Sequence, residues 1–181
     1  MQNKFGELDV FQAMDWPELL ADVTRISIVS SPDVSSFGVA EIDPAFSDTT
    51  AFCERYKLGM DQAANCVVIK ASRGDKSWYA ACVILGTTKA DVNGLARRHL
   101  NARKASFAPM EETVALTGME YGGITPVGLP ADWPILIDKA VAEKNRIVIG
   151  SGIRRSKIVV SGEVLSRSPN AVVLEGLGIQ K

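Results

Sequence analysis

The sequence predicts an α+β fold: a single domain with a mixed, barrel-like β-sheet and flanking helices. Three observations carry this reading: a length that suits one core, short β-branched runs that alternate with capped helical segments, and connections short enough to be hairpins. A chain of 181 residues buries enough surface in one core to stand without disulfide or metal support. Within it, residues 1–24 are expected to form an N-terminal segment with one short helix, and residues 25–181 the domain proper.

In chain order, Asp15 precedes Pro17 to Val23, a short helix it can cap, and the residues before it read as a tail. Asp48 caps a second helix with Phe52, Cys53 and Tyr56 on one face and Gly59 as its stop. Cys66 to Ile69 and Trp78 to Leu85 are apolar runs joined by Arg73-Gly74-Asp75-Lys76, the pattern of a buried hairpin. Asp91 opens a third helix through Leu100, Lys104 to Phe107 is extended, and Pro109 starts a fourth helix that Gly118 closes. Tyr121 to Pro130 is too rich in Gly and Pro for an element interior and reads as a shaped loop. Strands are expected at Arg146 to Ile149 and Lys157 to Val160, then a short helix near Gly162 to Ser166 and a last strand at Ala171 to Leu174.

Composition narrows the function classes. The chain is 46% hydrophobic and 23% charged, with no apolar run near the roughly 20 residues of a membrane helix. Its first residues carry acid and amide where a secretory signal needs a basic and then an apolar region, so the cytoplasm is the default location. Cys53, Cys66 and Cys82 form no paired spacing, which argues against a zinc site or a structural disulfide. A net charge of −1 is unlike a protein that coats nucleic acid along its length, so no DNA partner is expected and any RNA binding must be local.

The motif search is sparse. There is no Gly-x-Ser-x-Gly elbow, no His-Glu-x-x-His and no phosphate loop, and the sole histidine, His99, follows Leu95 by one helical turn and reads as a packing residue. Gly150-Ser151-Gly152 followed by Arg154, Arg155 and Lys157 is either a phosphate cradle or a hairpin with solvated cations. The loop from Gly122 to Pro126 is either a tight connection or a set of backbone N–H groups placed to meet a developing oxyanion.

Leu116-Thr117-Gly118 with Gly122-Gly123-Ile124-Thr125-Pro126-Val127-Gly128 is similar to the threonine-glycine and Gly-Gly-x-x-Pro segment of the YbaK/prolyl-tRNA editing family, which the chain resembles in ordered blocks across residues 25–178 or so. Ile135-Leu136-Ile137-Asp138 looks like its apolar-Asp segment, Ile147 to Arg155 like its strand and glycine turn, and Pro169 to Leu177 like its closing strand. Upstream, Asp43-Pro44-Ala45 through Leu58-Gly59 looks like its first strand and helix. One departure is visible: Asn65 stands where many members carry a lysine that contacts the tRNA terminus, and Lys70, an odd number of positions on, faces the other side of its strand.

The resemblance implies a cytoplasmic trans-editing hydrolase. It would cleave the ester at the acceptor end of a mischarged aminoacyl-tRNA, alanine or cysteine on a prolyl tRNA being the expected errors, with a synthetase as a possible partner and with no metal, cofactor or covalent protein nucleophile. Gly122, Gly123, Thr125, Pro126 and Asn65 are then the expected catalytic set, with the Gly123 amide facing the ester carbonyl, and Asp138, Gly150, Ser151, Gly152 and Arg154 the expected substrate-binding set. Arg97, Arg98, Lys104, Arg154, Arg155 or Lys157 would form a basic rim for the RNA. The alternative is a non-catalytic member that binds an aminoacyl-adenosine or nucleotide, or a synthetase.

Overall fold

The computed structural model describes residues 3–181. Strands β1 (Asn3–Phe5) and β2 (Leu8–Gln12) form a hairpin, so the N-terminal stretch that reads as a tail belongs to a sheet. The reason is alternation: Leu8 and Val10 are 1% and 7% exposed and pack against Phe52, Leu58 and Val159. Two 3₁₀ turns, Ala13–Asp15 and Pro17–Leu19, come before α1 (Asp22–Val29), and Asp15 caps nothing. The helix expected at 17–23 therefore begins later, because Leu19 and Leu20 are drawn into the core.

After β3 (Gly38–Glu41) comes α2 (Thr49–Tyr56), where Asp48 Oδ1 accepts from the Thr50 and Ala51 amides as its pattern predicts. The stop differs, since Lys57 rather than Gly59 takes the left-handed C-cap conformation, at φ 56°. Strands β4 (Ala64–Arg73) and β5 (Lys76–Leu85) are the expected hairpin, in register from Arg73–Lys76 to Ala64–Leu85. A short strand β6 (Thr88–Ala90) leads to Asp91, whose carboxylate accepts from the Gly94 and Leu95 amides. The turn that follows is π-helical over Val92–Ala96 before α3 (Arg97–His99). His99 is exposed on α3, so it does not serve the packing role expected of it.

Strand β7 (Lys104–Phe107) pairs with β4, and α4 (Met110–Thr117) ends at Gly118 with φ 68°. Beyond the Gly/Pro loop lie β8 (Ile135–Asp138), α5 (Lys139–Ala142), β9 (Ile147–Gly150), β10 (Ser156–Val160), α6 (Gly162–Ser166) and β11 (Ala171–Leu174). A further strand, β12 (Gly178–Gln180), follows the one expected to be last and pairs with β6.

The strands make two five-stranded sheets in the orders β1-β2-β3-β10-β9 and β11-β8-β5-β4-β7. Parallel pairing of β8 with β5 and β11 makes the second sheet mixed. A parallel bridge between Ala63 and Val148 joins the two into a curled half-barrel. On β9 and β10 the residues alternate between two apolar clusters: Ile147, Ile149, Ile158 and Val160 face the main core with Val83 and Ile137, while Val148 and Val159 face α2.

Candidate functional site

A cavity of about 370 Å³ opens at the join of the two sheets. Its walls come from the start of β4 (Ala64, Asn65, Cys66), the end of β9 (Val148 to Gly150), the start of α2 (Ser47, Asp48, Thr49, Phe52) and the glycine loop (Tyr121, Gly122, Ile124), with Met110, Arg154 and Lys157 completing them. The structure thus brings together Asn65, Gly122, Gly150 and Arg154, four of the ten residues expected at the site, and places the other six elsewhere.

Backbone bonds explain the division. Gly123 N–H donates to Glu120 O at 3.0 Å, Gly123 O accepts from Gly152 N at 2.7 Å, Gly152 O accepts from Glu120 N at 2.8 Å, and Arg154 N donates to Glu120 Oε2 at 2.7 Å. Loop and turn are stitched edge to edge, and a Cβ on Gly123 would meet the Ile153 backbone at 2.7 Å, one on Gly150 the Ile124 carbonyl at 2.4 Å. These glycines permit the approach of two backbones. The expectation that the Gly123 amide faces an ester carbonyl is corrected: that N–H is already spent, and Gly123 does not line the cavity. Gly122 and Ile124 do, and among the described residues no acceptor takes either N–H.

The remaining expected residues serve the frame. Thr125 and Pro126 are buried beneath the loop, with Thr125 Oγ1 unpaired. Ser151, fully buried, bonds Ser156 Oγ at 2.7 Å and the Ser156 carbonyl at 3.1 Å, and Gly152 closes the turn with φ 86°. Asp138 accepts from the Leu177 amide at 3.1 Å and ties down the C-terminal segment outside the cavity. Asn65 Oδ1 accepts from Thr49 Oγ1 at 2.5 Å, which leaves the amide N–H groups for another partner. Arg154 is half-buried at the mouth, donating to the Tyr121 and Pro44 carbonyls at 3.2 and 3.3 Å and stacking over the exposed Tyr121 ring at 5.7 Å.

The expected basic rim does not form as one surface. Lys157 is 8% exposed and lies within the cavity wall, Arg155 bonds to Glu41 and to the Glu18 carbonyl, and Arg97, Arg98 and Lys104 sit beside the second sheet on α3 and β7. Burial brings the Lys157 ammonium down to about 8, with Arg154 adding to the fall and Cys53 and Asp48 opposing it. Burial likewise pushes the Cys66 thiol up, which favours its neutral form. Sequence reasoning missed Thr49 and Tyr121 as cavity residues and named Lys157 only for a phosphate cradle or a basic rim. The available signal was a lysine opening the apolar run Lys157-Ile158-Val159-Val160.

The profile of the aminoacyl-tRNA editing domain matches residues 43–167. This chain belongs to that family. The editing domain is 24% identical over 102 residues to a candidate Cys-tRNA(Pro)/Cys-tRNA(Cys) deacylase, EbsC, of Enterococcus faecalis (strain ATCC 700802 / V583), a match covering 56% of this chain and 62% of that relative's length. Two solved structures share the fold. One is a candidate trans-editing enzyme for prolyl tRNA synthetase (TM-score 0.70, 19% identity, 86% of this chain and 97% of the other). The second is a scaffold from epitope backbone grafting by computational design (TM-score 0.73, 18% identity, 86% and 95%). The YbaK-like resemblance and the mixed α+β fold expected from sequence both agree with these matches.

Proposed function

We propose that this editing domain is a trans-acting deacylase that hydrolyses the ester between a small amino acid and the terminal adenosine of a mischarged tRNA, alanine or cysteine on a prolyl tRNA first among them. The observation that carries the reading is the cavity beside the joined glycine segments, lined by Gly122 and Ile124, whose N–H groups have no acceptor among the described residues, and by Asn65, whose amide N–H groups are free. Two N–H donors in a partly desolvated cleft suit the carbonyl oxygen of an ester as it gains negative charge. Asn65 holds the ribose, and the exposed Tyr121 offers a face on which the adenine stacks. Water adds to the carbonyl carbon, the ester C–O bond breaks, and the ribose oxygen leaves with a proton. Burial pushes the Cys66 thiol up, which disfavours it as a thiolate nucleophile. Such a site is the second sieve for amino acids a synthetase cannot reject by size.

Single-turnover deacylation of alanyl, cysteinyl and seryl tRNAs tests the reading. Hydrolysis of at least one is expected, and Gly122→Ala should slow it on the order of 100-fold, the cost of one displaced oxyanion donor. At φ 81°, with Arg154 Nη1 at 2.8 Å from the added Cβ, that change cannot be neutral. Binding without hydrolysis of any substrate would instead support the non-catalytic alternative.

A further inference from the structure

Lys157 stands on β10 between Ala40 of β3 and Gly150 of β9. It shares a face with Val159, over the apolar bed that Val148, Phe52 and Cys53 make beneath α2. A strand interior is a costly place for an ammonium, and this one is 8% exposed. Its Nζ donates to the Ser47 carbonyl at 2.9 Å and lies 5.4 Å from the centre of the Phe52 ring. None of the ion pairs among the described residues includes it. An ammonium has three donors, so two are left in a wall shared with Asn65, Gly122 and Gly150. Arg154, a second cation in the same cavity wall, makes the need for negative charge greater. The missing partner is an oxygen that carries or gains negative charge.

The geometry points to Lys157 as the charged donor to the carbonyl oxygen of the scissile ester, completing with the Gly122 and Ile124 amides a site for the oxyanion. This deepens the deacylase reading and rests on it. When water adds to the carbonyl carbon, the C=O electron pair moves onto the oxygen, where the ammonium holds it without giving up a proton. Collapse re-forms the C=O bond and expels the ribose oxygen, which takes the proton that the water has lost. A phosphate could answer the same charge. The ester oxygen suits the position better, because a phosphodiester is heavily hydrated and Arg154, the second cation it would need, is committed to two carbonyls.

The titratable groups that face Lys157 are Cys53 on α2, Asp48 at its cap and Arg154 in the β9–β10 turn, while β3 and β9 present only Ala40, Val148 and Gly150. Because burial holds this lysine at about 8, the charged donor is present at neutral pH and lost in mildly alkaline solution.

The test compares wild type with Lys157→Met on the mischarged tRNA that wild type hydrolyses best. Wild-type rates should fall as pH rises through about 8. Lys157→Met should be slower by 10²–10³-fold, on the order expected for an oxyanion donor, without that alkaline limb and with an unchanged or higher Tm. A folded Lys157→Met within about threefold of the wild-type rate, or one that keeps the alkaline limb, overturns the proposal. Calorimetric binding of a phosphonate analogue of the tetrahedral adduct on adenosine needs no turnover. Wild type should bind it more tightly than Lys157→Met by at least tenfold, and equal affinities would overturn the contact. If Lys157→Met loses AMP or inorganic phosphate to the same degree, the lysine is a phosphate holder and the ester assignment falls. If wild type deacylates no tRNA yet still binds the phosphonate through Lys157, the deacylase reading fails and the oxyanion contact stands.

Discussion

Lys70 and Lys157 stand one in each five-stranded sheet, each on a strand with neighbours on both sides, and they are held in opposite ways. Lys70, on β4 between Tyr79 and Ser106, reaches the Glu112 carboxylate of α4 at 3.0 Å, and the Tyr79 hydroxyl donates to the same carboxylate. Its hydrogen bond to Glu112, with help from Tyr79, raises the lysine above its usual value. Lys157 has one carbonyl and a ring face, and burial lowers it. A cation with a carboxylate at hand clasps a helix to a sheet. One kept in a cavity wall with no carboxylate within ion-pair reach costs stability, and the ligand oxygen proposed above is what offsets that cost.

The contrast is tested most strongly by exchanging each lysine for methionine and comparing stability at neutral pH. Lys157→Met should raise Tm, gaining on the order of 1–3 kcal/mol as a buried charge without an ion-pair partner is replaced by apolar volume. A fall in Tm would mean that the Ser47 bond is structural and the contrast false. Lys70→Met should lower Tm, by freeing α4, and leave deacylation close to wild type.

The pH dependence of stability should differ in sign. Lys157 is lowered in the folded state, so the unfolded chain binds the extra proton between about 8 and 10.5 and stability rises with pH across that window. Lys70 is raised, so its contribution is complete below 10.5 and lost as pH climbs through its folded value. Denaturant melts at stepped alkaline pH, each variant subtracted from wild type, should show a rising difference for the first lysine and a falling one for the second. Two differences of the same sign would break the comparison.

Glu112→Gln should have the smallest effect. Hydrogen bonds from Tyr79 and Lys70 hold this carboxyl below its usual range, so its contribution is present at neutral pH and lost as acid protonates it. The pair is more than a third exposed on each side, 37% and 39%, so solvent screens it and the neutral amide should cost little at pH 7. Circular dichroism melts that showed a large loss would move α4 from clasped accessory to required element.

By itself the sequence determined the features that depend on residues a few positions apart. Asp48 and Asp91 cap because their carboxylates reach amides two to four residues on, and the β4–β5 hairpin is set by turn residues between two apolar runs. That the glycine loop and turn border one shared cavity was also legible, through Gly122, Gly150, Asn65 and Arg154. What the tertiary structure decided is which groups in those segments are free. The Gly123 amide is consumed by Glu120 and its Cα faces Ile153, the Asp138 carboxylate is consumed by Leu177, and Ser151 by Ser156. Lys157, read either as part of a phosphate cradle or as a solvated cation, lies under α2. A glycine suits close backbone packing and ligand approach equally well, and a lysine suits a rim or a wall. Only the contact between segments distant in the chain settles which donors are filled and which remain for a ligand.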